Sequence, residues 1–102
     1  MDDVQALAFY RLAAAQGLDD AHYFLGYMYF YGRGVVQHCT EALQWFQLAA
    51  TQGHPLAMFF VAFCHQHGQG VVVDVEEAIL WYRRALAAGH ILAATKLREL
   101  RA

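Results

Sequence analysis

The residues best suited to chemistry lie together in the run Cys64-His65-Gln66-His67. Thiolate and imidazole are ligands that Zn²⁺ prefers in proteins, provided that they converge tetrahedrally on one ion. Within a helix, His65 and His67 are two positions apart and point to nearly opposite sides, so they do not easily share a metal. Cys64 paired with His67 or His38 stays open as an alternative. We expect structural or solvated histidines here, no metal site and no cofactor.

Other catalytic patterns are weak. The chain contains no serine, which excludes a serine hydrolase, and no local signature indicates a cysteine nucleophile with its histidine and oxyanion site. The loops Gly32-Arg33-Gly34 and Gly68-Gln69-Gly70 are too short and wrongly placed to bind phosphate. Cys39 and Cys64 fall near each other if consecutive helices are antiparallel, so a disulfide is an alternative to the two free thiols that we expect. The sequence predicts that the protein is not an enzyme.

Composition bounds the class of protein. Hydrophobic residues make up 59% of the 102 positions and charged residues 16%, which excludes a disordered, charge-rich chain. A net charge of −2 and a single lysine, Lys96, do not make a general nucleic-acid footprint. The apolar runs fall short of the roughly 18 to 20 residues that a membrane span needs, and Asp2 and Asp3 stand where a signal peptide is basic. We expect a soluble protein, cytoplasmic by default, that binds neither nucleic acid nor membrane.

An internal repeat dominates the sequence. A shift of 36 positions superposes Gly17 on Gly53 and Gly89, and it superposes the paired loop glycines and the two valines that follow them. Comparing residues 6–41 with 42–77 gives 14 identities in 36 positions, placed on the same small and glycine residues. Such a period is typical of a solenoid in which stacked helix pairs share a continuous core.

Each period contains two helices. Residues 42–50 place apolar side chains at i, i+3, i+4 and i+7, and a glycine suited to positive φ ends each such run. Asp74, Asp2 and the weaker acceptor His38 stand where an N-cap is needed. Pro55 suits the first turn of another helix. The predicted helices cover residues 4–16, 20–31, 40–52, 55–67, 76–88 and 91–101, and no strand is predicted.

The chain resembles the Sel-1-like repeat family, a relative of the tetratricopeptide repeats with a longer glycine-bearing loop. The residues that carry the likeness are Gly17-Leu18-Asp19-Asp20-Ala21, Leu25-Gly26-Tyr27-Met28-Tyr29, Gly32-Arg33-Gly34-Val35 and Glu41-Ala42-Leu43-Gln44-Trp45-Phe46. The middle repeat departs from the pattern at Ala62, His65 and His38. The resemblance implies an all-α fold, a right-handed α/α superhelix of about six helices. It also implies one domain over residues 1–102, with repeats near 6–41, 42–77 and a partial repeat over 78–102.

The resemblance implies a scaffold that binds a protein or peptide partner. In tetratricopeptide-like stacking, the helix after each Gly-x-x-x-Ala lines the concave groove, here residues 20–31, 55–67 and 91–101. The side chains expected to be exposed in this groove are Tyr23, Tyr27, Phe30, Tyr31, Phe59, Phe63, Gln66 and His67. Such rings can anchor apolar groups of a partner. The alternative, that half of the aromatic residues only close the stack, stays open because periodicity does not separate the two roles.

Charge favours binding without specifying the partner. Residues 42–73 contain no Lys, Arg, Asp or Glu, so part of their surface is expected to be covered, unless Gln, His and Thr make it polar. Residues 81–102 carry a net +4 and residues 1–80 a net −6, which fits either acidic partners or a solvated terminal face. The second hypothesis for function is a structural unit that assembles with copies of itself through apolar solenoid ends.

Overall fold

A computed structural model describes residues 2–18 and 20–101. Within these residues it contains six α-helices and no strand, so the predicted fold class is confirmed. The helices are α1 (Asp3–Ala15), α2 (Ala21–Tyr31), α3 (Cys39–Thr51), α4 (Pro55–His67), α5 (Val75–Ala87) and α6 (Leu92–Arg101). The predicted bounds agree with these to within one residue. The sequence pattern is therefore accurate at the level of single helices.

The helices stack in chain order along one long axis. Each helix packs on the next one in the sequence, and the molecule measures 43 × 24 × 19 Å. We call α2, α4 and α6 the inner helices and α1, α3 and α5 the outer helices. Because each inner helix lies between two outer helices, or at an end of the stack, the apolar stripes share one core. The architecture is a helical-repeat solenoid.

Side-chain caps set where the helices begin. The Asp2 carboxylate accepts a hydrogen bond from the Gln5 amide at 2.8 Å, and the Gln5 side chain accepts one from the Asp2 amide at 3.2 Å. Asp74, the predicted N-cap of α5, accepts a single hydrogen bond from the Glu77 amide at 3.1 Å. His38 and His54 cap α3 and α4, because the unprotonated Nδ1 of each imidazole accepts an amide hydrogen bond. The cap predicted at His38 is confirmed.

Contact between a ring and a small residue joins inner to outer helices. Gly26 of α2 faces Phe46 of α3, and a Cβ placed on Gly26 would lie 2.7 Å from a carbon of that ring. One period later, Ala62 of α4 and Tyr82 of α5 belong to the same buried cluster, and both are fully buried. Larger side chains at Gly26 or Ala62 would force these helices apart.

The loop between α2 and α3 and the loop between α4 and α5 each contain two glycines. The second glycine of each loop touches the backbone of the preceding outer helix. Gly70 has φ +76°, and a Cβ there would lie 2.5 Å from the carbonyl oxygen of Cys39. Gly34 makes the same contact with Asp3 at the start of α1. A side chain at either position meets both an unfavourable φ and backbone atoms that have no freedom to rotate away.

We predict that Gly70→Ala lowers the free energy of unfolding by about 2 to 4 kcal/mol, the sum of left-handed strain and overpacking. Gly53→Ala is the matched control, because Gly53 has φ +89° but a Cβ placed on it would meet no atom within 4 Å. In this control the free energy of unfolding should fall by only about 1 to 2 kcal/mol. Urea unfolding followed by circular dichroism measures both variants. Equal losses would contradict the proposed backbone contact.

An ion pair connects the loop between α2 and α3 to α1. Arg33 donates from Nε to Asp3 Oδ2 at 2.8 Å and from Nη2 to Asp3 Oδ1 at 3.1 Å. The hydrogen bond from Arg33 lowers the pKa of Asp3 below its ordinary value of 3.8. Because the folded-state pKa is the lower one, the contribution of the pair is present above the unfolded pKa and is lost as pH falls through the folded value.

We therefore predict that Arg33→Gln raises the pKa of Asp3 toward 3.8, because the charged donor is removed. The measurement is an NMR titration of the Asp3 carboxyl carbon in both proteins. Asp74, which pairs with no arginine within residues 2–18 and 20–101, serves as the internal reference. An unchanged Asp3 titration in the variant would show that the ion pair is not formed in solution.

Candidate functional site

Phe60 of α4 is the centre of an aromatic network that joins three helices. Its ring stacks on Phe46 of α3 with centroids 4.6 Å apart. On α2, Phe30 lies 5.5 Å from the same ring and Tyr31 lies 6.4 Å from it, both edge to face. The aromatic rings of α2 and α4 therefore fall into two sets. One set is buried and fills the space between the helices, and the other set stays exposed to solvent.

The expectation that Tyr23 and Phe30 are exposed in a groove is wrong. Their side chains are only 9% and 8% exposed. Both lie on the side of α2 that carries Gly26, so they face α3 and α4 rather than solvent. Tyr23 stacks on His54 at 4.6 Å and lies 5.8 Å from Phe46. For these two residues the alternative interpretation, closure of the stack, is the correct one.

Five of the predicted residues remain at the surface, and we call them the aromatic surface: Tyr27, Tyr31, Phe59, Phe63 and His67. Tyr31 is 51% exposed and His67 is also exposed, whereas the other three are partly buried. On α2, the Tyr27 and Tyr31 rings lie 4.7 Å apart, and on α4 the Phe63 and His67 rings lie 4.3 Å apart. The 36-residue shift superposes one pair on the other, so the surface is a repeated feature.

The aromatic surface is electrically neutral at its centre. Neither α2 nor α4 contains Lys, Arg, Asp or Glu. Its polar groups are the hydroxyls of Tyr27 and Tyr31 and the imidazole of His67. Gln66, which we expected in the groove, instead accepts a hydrogen bond from the Tyr82 hydroxyl at 2.7 Å. The surface is thus suited to apolar contact and to neutral hydrogen bonds, not to ion pairing.

Sequence reasoning missed two rings that the structure shows to be important, Phe24 and Phe60. Phe60 is partly buried at the centre of the aromatic network, and Phe24 is 37% exposed beside Tyr10. A signal was present, because Phe24 and Phe60 are identical residues one 36-residue period apart. Their shared role is to stack on a ring of the outer helix that precedes them.

The Cys64-His65-Gln66-His67 run does not converge on one point. Cys64 is fully buried, and this burial raises the pKa of its thiol to about 12, which keeps it protonated near neutral pH. His67 is exposed and packs on Phe63, whereas His65 is partly buried. Among residues 2–18 and 20–101, no group of three or more His, Cys, Asp or Glu side chains is placed to hold a metal ion.

The two cysteines are free thiols in the structure. Cys39 is partly buried and donates a hydrogen bond from Sγ to Gln69 Oε1 at 3.4 Å. We predict that Cys39 reacts with a thiol reagent in the native protein, whereas Cys64 reacts only after unfolding, because it is buried and protonated.

Timed labelling with and without urea measures this difference, and Cys39→Ala should remove the reaction of the native protein. If no free thiol appears even in denaturant, the two cysteines are bridged and the assignment is contradicted.

No helix in the described part of the chain has the length and apolar character required to cross a membrane.

The Sel1 repeat family matches the chain over residues 2–18, 19–54 and 55–90. A protective antigen of uropathogenic Escherichia coli with an SLR fold has a TM-score of 0.91 and 35% identity, over 94% of this chain and 21% of that one. A Sel1 repeat protein from Oxalobacter formigenes has a TM-score of 0.89 and 36% identity, over 94% of this chain and 39% of that one. This chain therefore spans about a fifth and about two fifths of these two proteins.

Helicobacter pylori cysteine rich protein B is similar in fold, with a TM-score of 0.87 and 20% identity over 95% of this chain and 73% of that one. No curated protein sequence matches significantly. The two full matches to the family each span 36 residues, the period found in the sequence. The repeated glycines, the stacked helix pairs and the family match show that this chain belongs to the Sel1 repeat family.

Proposed function

We propose that this chain is a protein-interaction scaffold that binds an apolar segment of a partner protein on the aromatic surface of α2 and α4. Sel1 repeat proteins are in general non-catalytic scaffolds that bind protein partners. The observation that carries the proposal is the exposed position of Tyr31 and His67, each of which packs at a tilt against a ring of its own helix. These two rings contact the buried aromatic network but do not fill the space between the helices.

The geometry of the rings supports an interaction role. Tyr27 and Tyr31 are held against each other, and Phe63 is held between Phe30 and His67. Rings that are already ordered lose little conformational entropy when a partner covers them. A tyrosine or phenylalanine can bury about 150 to 250 Å² and is a frequent hot-spot residue. The partner segment complementary to this surface carries apolar side chains, because α2 and α4 offer no charged group.

Phe59 marks the other limit of the surface. Its ring contacts Tyr82 at 5.3 Å and His90 at 4.8 Å, so it connects the aromatic surface to α5 and to the turn before α6. We assign Phe59 a supporting role and Tyr27, Tyr31, Phe63 and His67 the direct contacts. The next inner helix after α4 is charged, because α6 carries Lys96, Arg98, Glu99 and Arg101.

We predict that the double variant Tyr27→Ala/Phe63→Ala loses affinity for peptides selected on the wild-type chain from a displayed library. Two hot-spot contacts of about 1 kcal/mol each correspond to roughly a 30-fold rise in Kd. Binding is measured by fluorescence anisotropy, and circular dichroism checks that helicity is retained.

The matched control is Leu48→Ala, which removes an exposed apolar side chain of α3 and leaves the aromatic surface intact. Its affinity for the selected peptides should equal that of the wild type. Peptides that bind the double variant as tightly as the wild type, or that lose affinity equally in the control, would overturn the assignment of this surface.

A further inference from the structure

The two ring pairs of the aromatic surface have nearly the same geometry. Tyr27 and Tyr31 of α2 have centroids 4.7 Å apart and ring planes 53° apart, and Phe63 and His67 of α4 have centroids 4.3 Å apart and ring planes 49° apart. A partner segment that covers both pairs meets the same arrangement twice. The surface therefore favours a segment whose own structure repeats at a matching distance.

A single buried ring separates the two pairs. Phe30 lies 4.9 Å from Tyr31 on its own helix and 6.2 Å from Phe63 on α4. A polyproline II helix repeats every three residues, a rise of about 9 Å. This repeat is comparable with the separation of two rings that both contact Phe30. An extended segment in this conformation can therefore place equivalent side chains on both ring pairs.

The backbone acceptors at this end of the inner helices are already in use. The last carbonyls of a helix have no partner within the helix and normally offer acceptors to a ligand. On α2, the Met28 carbonyl accepts an amide hydrogen bond from the following loop at 2.8 Å, and the Phe30 carbonyl accepts one from Gln37 Nε2 at 2.7 Å. On α4, the Cys64 and His65 carbonyls accept loop amide hydrogen bonds at 3.0 Å and 2.8 Å.

The side-chain polar groups of the aromatic surface can all donate hydrogen bonds. Tyr27 and Tyr31 carry hydroxyls, and His67 carries an imidazole. The oxygen of the neighbouring Gln66 side chain already accepts the Tyr82 hydroxyl hydrogen bond at 2.7 Å, which leaves its amide N–H groups. The surface therefore complements a partner backbone that presents carbonyl oxygens and few N–H groups.

A proline-rich polyproline II helix has such a backbone. Its carbonyls make no internal hydrogen bonds, and proline has no N–H group that needs an acceptor. An α-helix uses most of its carbonyls internally, whereas a β-strand brings N–H groups that require acceptors. The conformation is also preformed, so little entropy is lost on binding. Because α2 and α4 contain no charged residue, nothing on this surface calls for charge in the segment.

We propose that the aromatic surface binds an uncharged, proline-rich segment of a partner protein in the polyproline II conformation. Proline rings pack on the two ring pairs, and carbonyl oxygens of the segment accept hydrogen bonds from Tyr27, Tyr31 and His67. This inference rests on the proposed function and specifies the class of partner. It adds that the backbone conformation of the partner, and not only its apolar character, is recognised.

The test is an NMR titration of the whole chain with nonaproline, acetylated and amidated so that the peptide carries no charge. We expect saturable shifts at Tyr27, Tyr31, Phe63 and His67 with a Kd below about 1 mM. The control peptide has the same length and contains alanine, leucine and glutamine. It is uncharged and apolar, but it has backbone N–H groups and is not held in the polyproline II conformation. It should bind at least about tenfold more weakly.

A matched pair of variants tests the hydrogen bonds. Tyr31→Phe removes the hydroxyl and keeps the ring, so the affinity for nonaproline should fall about fivefold, the effect of one neutral hydrogen bond. Tyr10→Phe removes a hydroxyl of α1 outside the aromatic surface and should leave the Kd unchanged. Circular dichroism checks that both variants keep their helicity. Equal affinities of the two variants would contradict the role assigned to the Tyr31 hydroxyl.

Three further results would overturn the proposal. The first is the absence of shifts at about 1 mM nonaproline, or shifts that map outside the aromatic surface. The second is equal binding of the control peptide, which would identify any apolar segment as the occupant. The third is self-association, seen by sedimentation, that shields Tyr27 and Tyr31 and identifies a second copy as the occupant.

The peptides selected from a displayed library separate this inference from the proposed function. If they bind the aromatic surface and nonaproline does not, the scaffold assignment is supported and the polyproline II segment is excluded. If neither the selected peptides nor nonaproline lose affinity in Tyr27→Ala/Phe63→Ala, both proposals are overturned.

Discussion

The close approach of an outer-helix ring to a small residue of the inner helix is the contact on which the rest of this structure depends. Phe46 against Gly26 and Tyr82 against Ala62 are buried, and the first leaves no space for even one methyl group. The distance between the paired helices is fixed by this contact. Neighbouring rings such as Phe60 then have a defined space to fill, and this is how one ring pair becomes a network across three helices.

The connections keep this spacing constant from one repeat to the next. Gly34 and Gly70 let the long loops lie directly on the backbone at the start of α1 and α3. Arg33 adds an ion pair to the first of these contacts. Side-chain caps hold the first turns of α1, α3, α4 and α5. The positions of exposed side chains on these helices therefore follow from the geometry of the repeat. A repeat built in this way holds its exposed rings in a preorganised form.

The aromatic surface results from the same repeat. It follows the inner helices, and its exposed rings are what remains after the stack is closed. The segment that we propose for this surface carries apolar side chains, because neither α2 nor α4 contains a charged residue.

Local patterns in the sequence were sufficient for the helices, their caps and the fold class. Capping and hydrophobic periodicity act over three to seven residues, so they can be read from neighbouring positions. The exposure of individual rings was not determined locally. Tyr23, Tyr27, Phe30 and Tyr31 fall within about 100° of arc on α2, given about 3.6 residues per turn. A small rotation of the helix decides which of them is buried, and that rotation is set by the contact of Gly26 with Phe46, a residue of another helix. The sequence alone therefore determined which residues are aromatic and on which helix they lie, and only tertiary packing decided that Tyr23 and Phe30 are core and that Tyr27 and Tyr31 are surface.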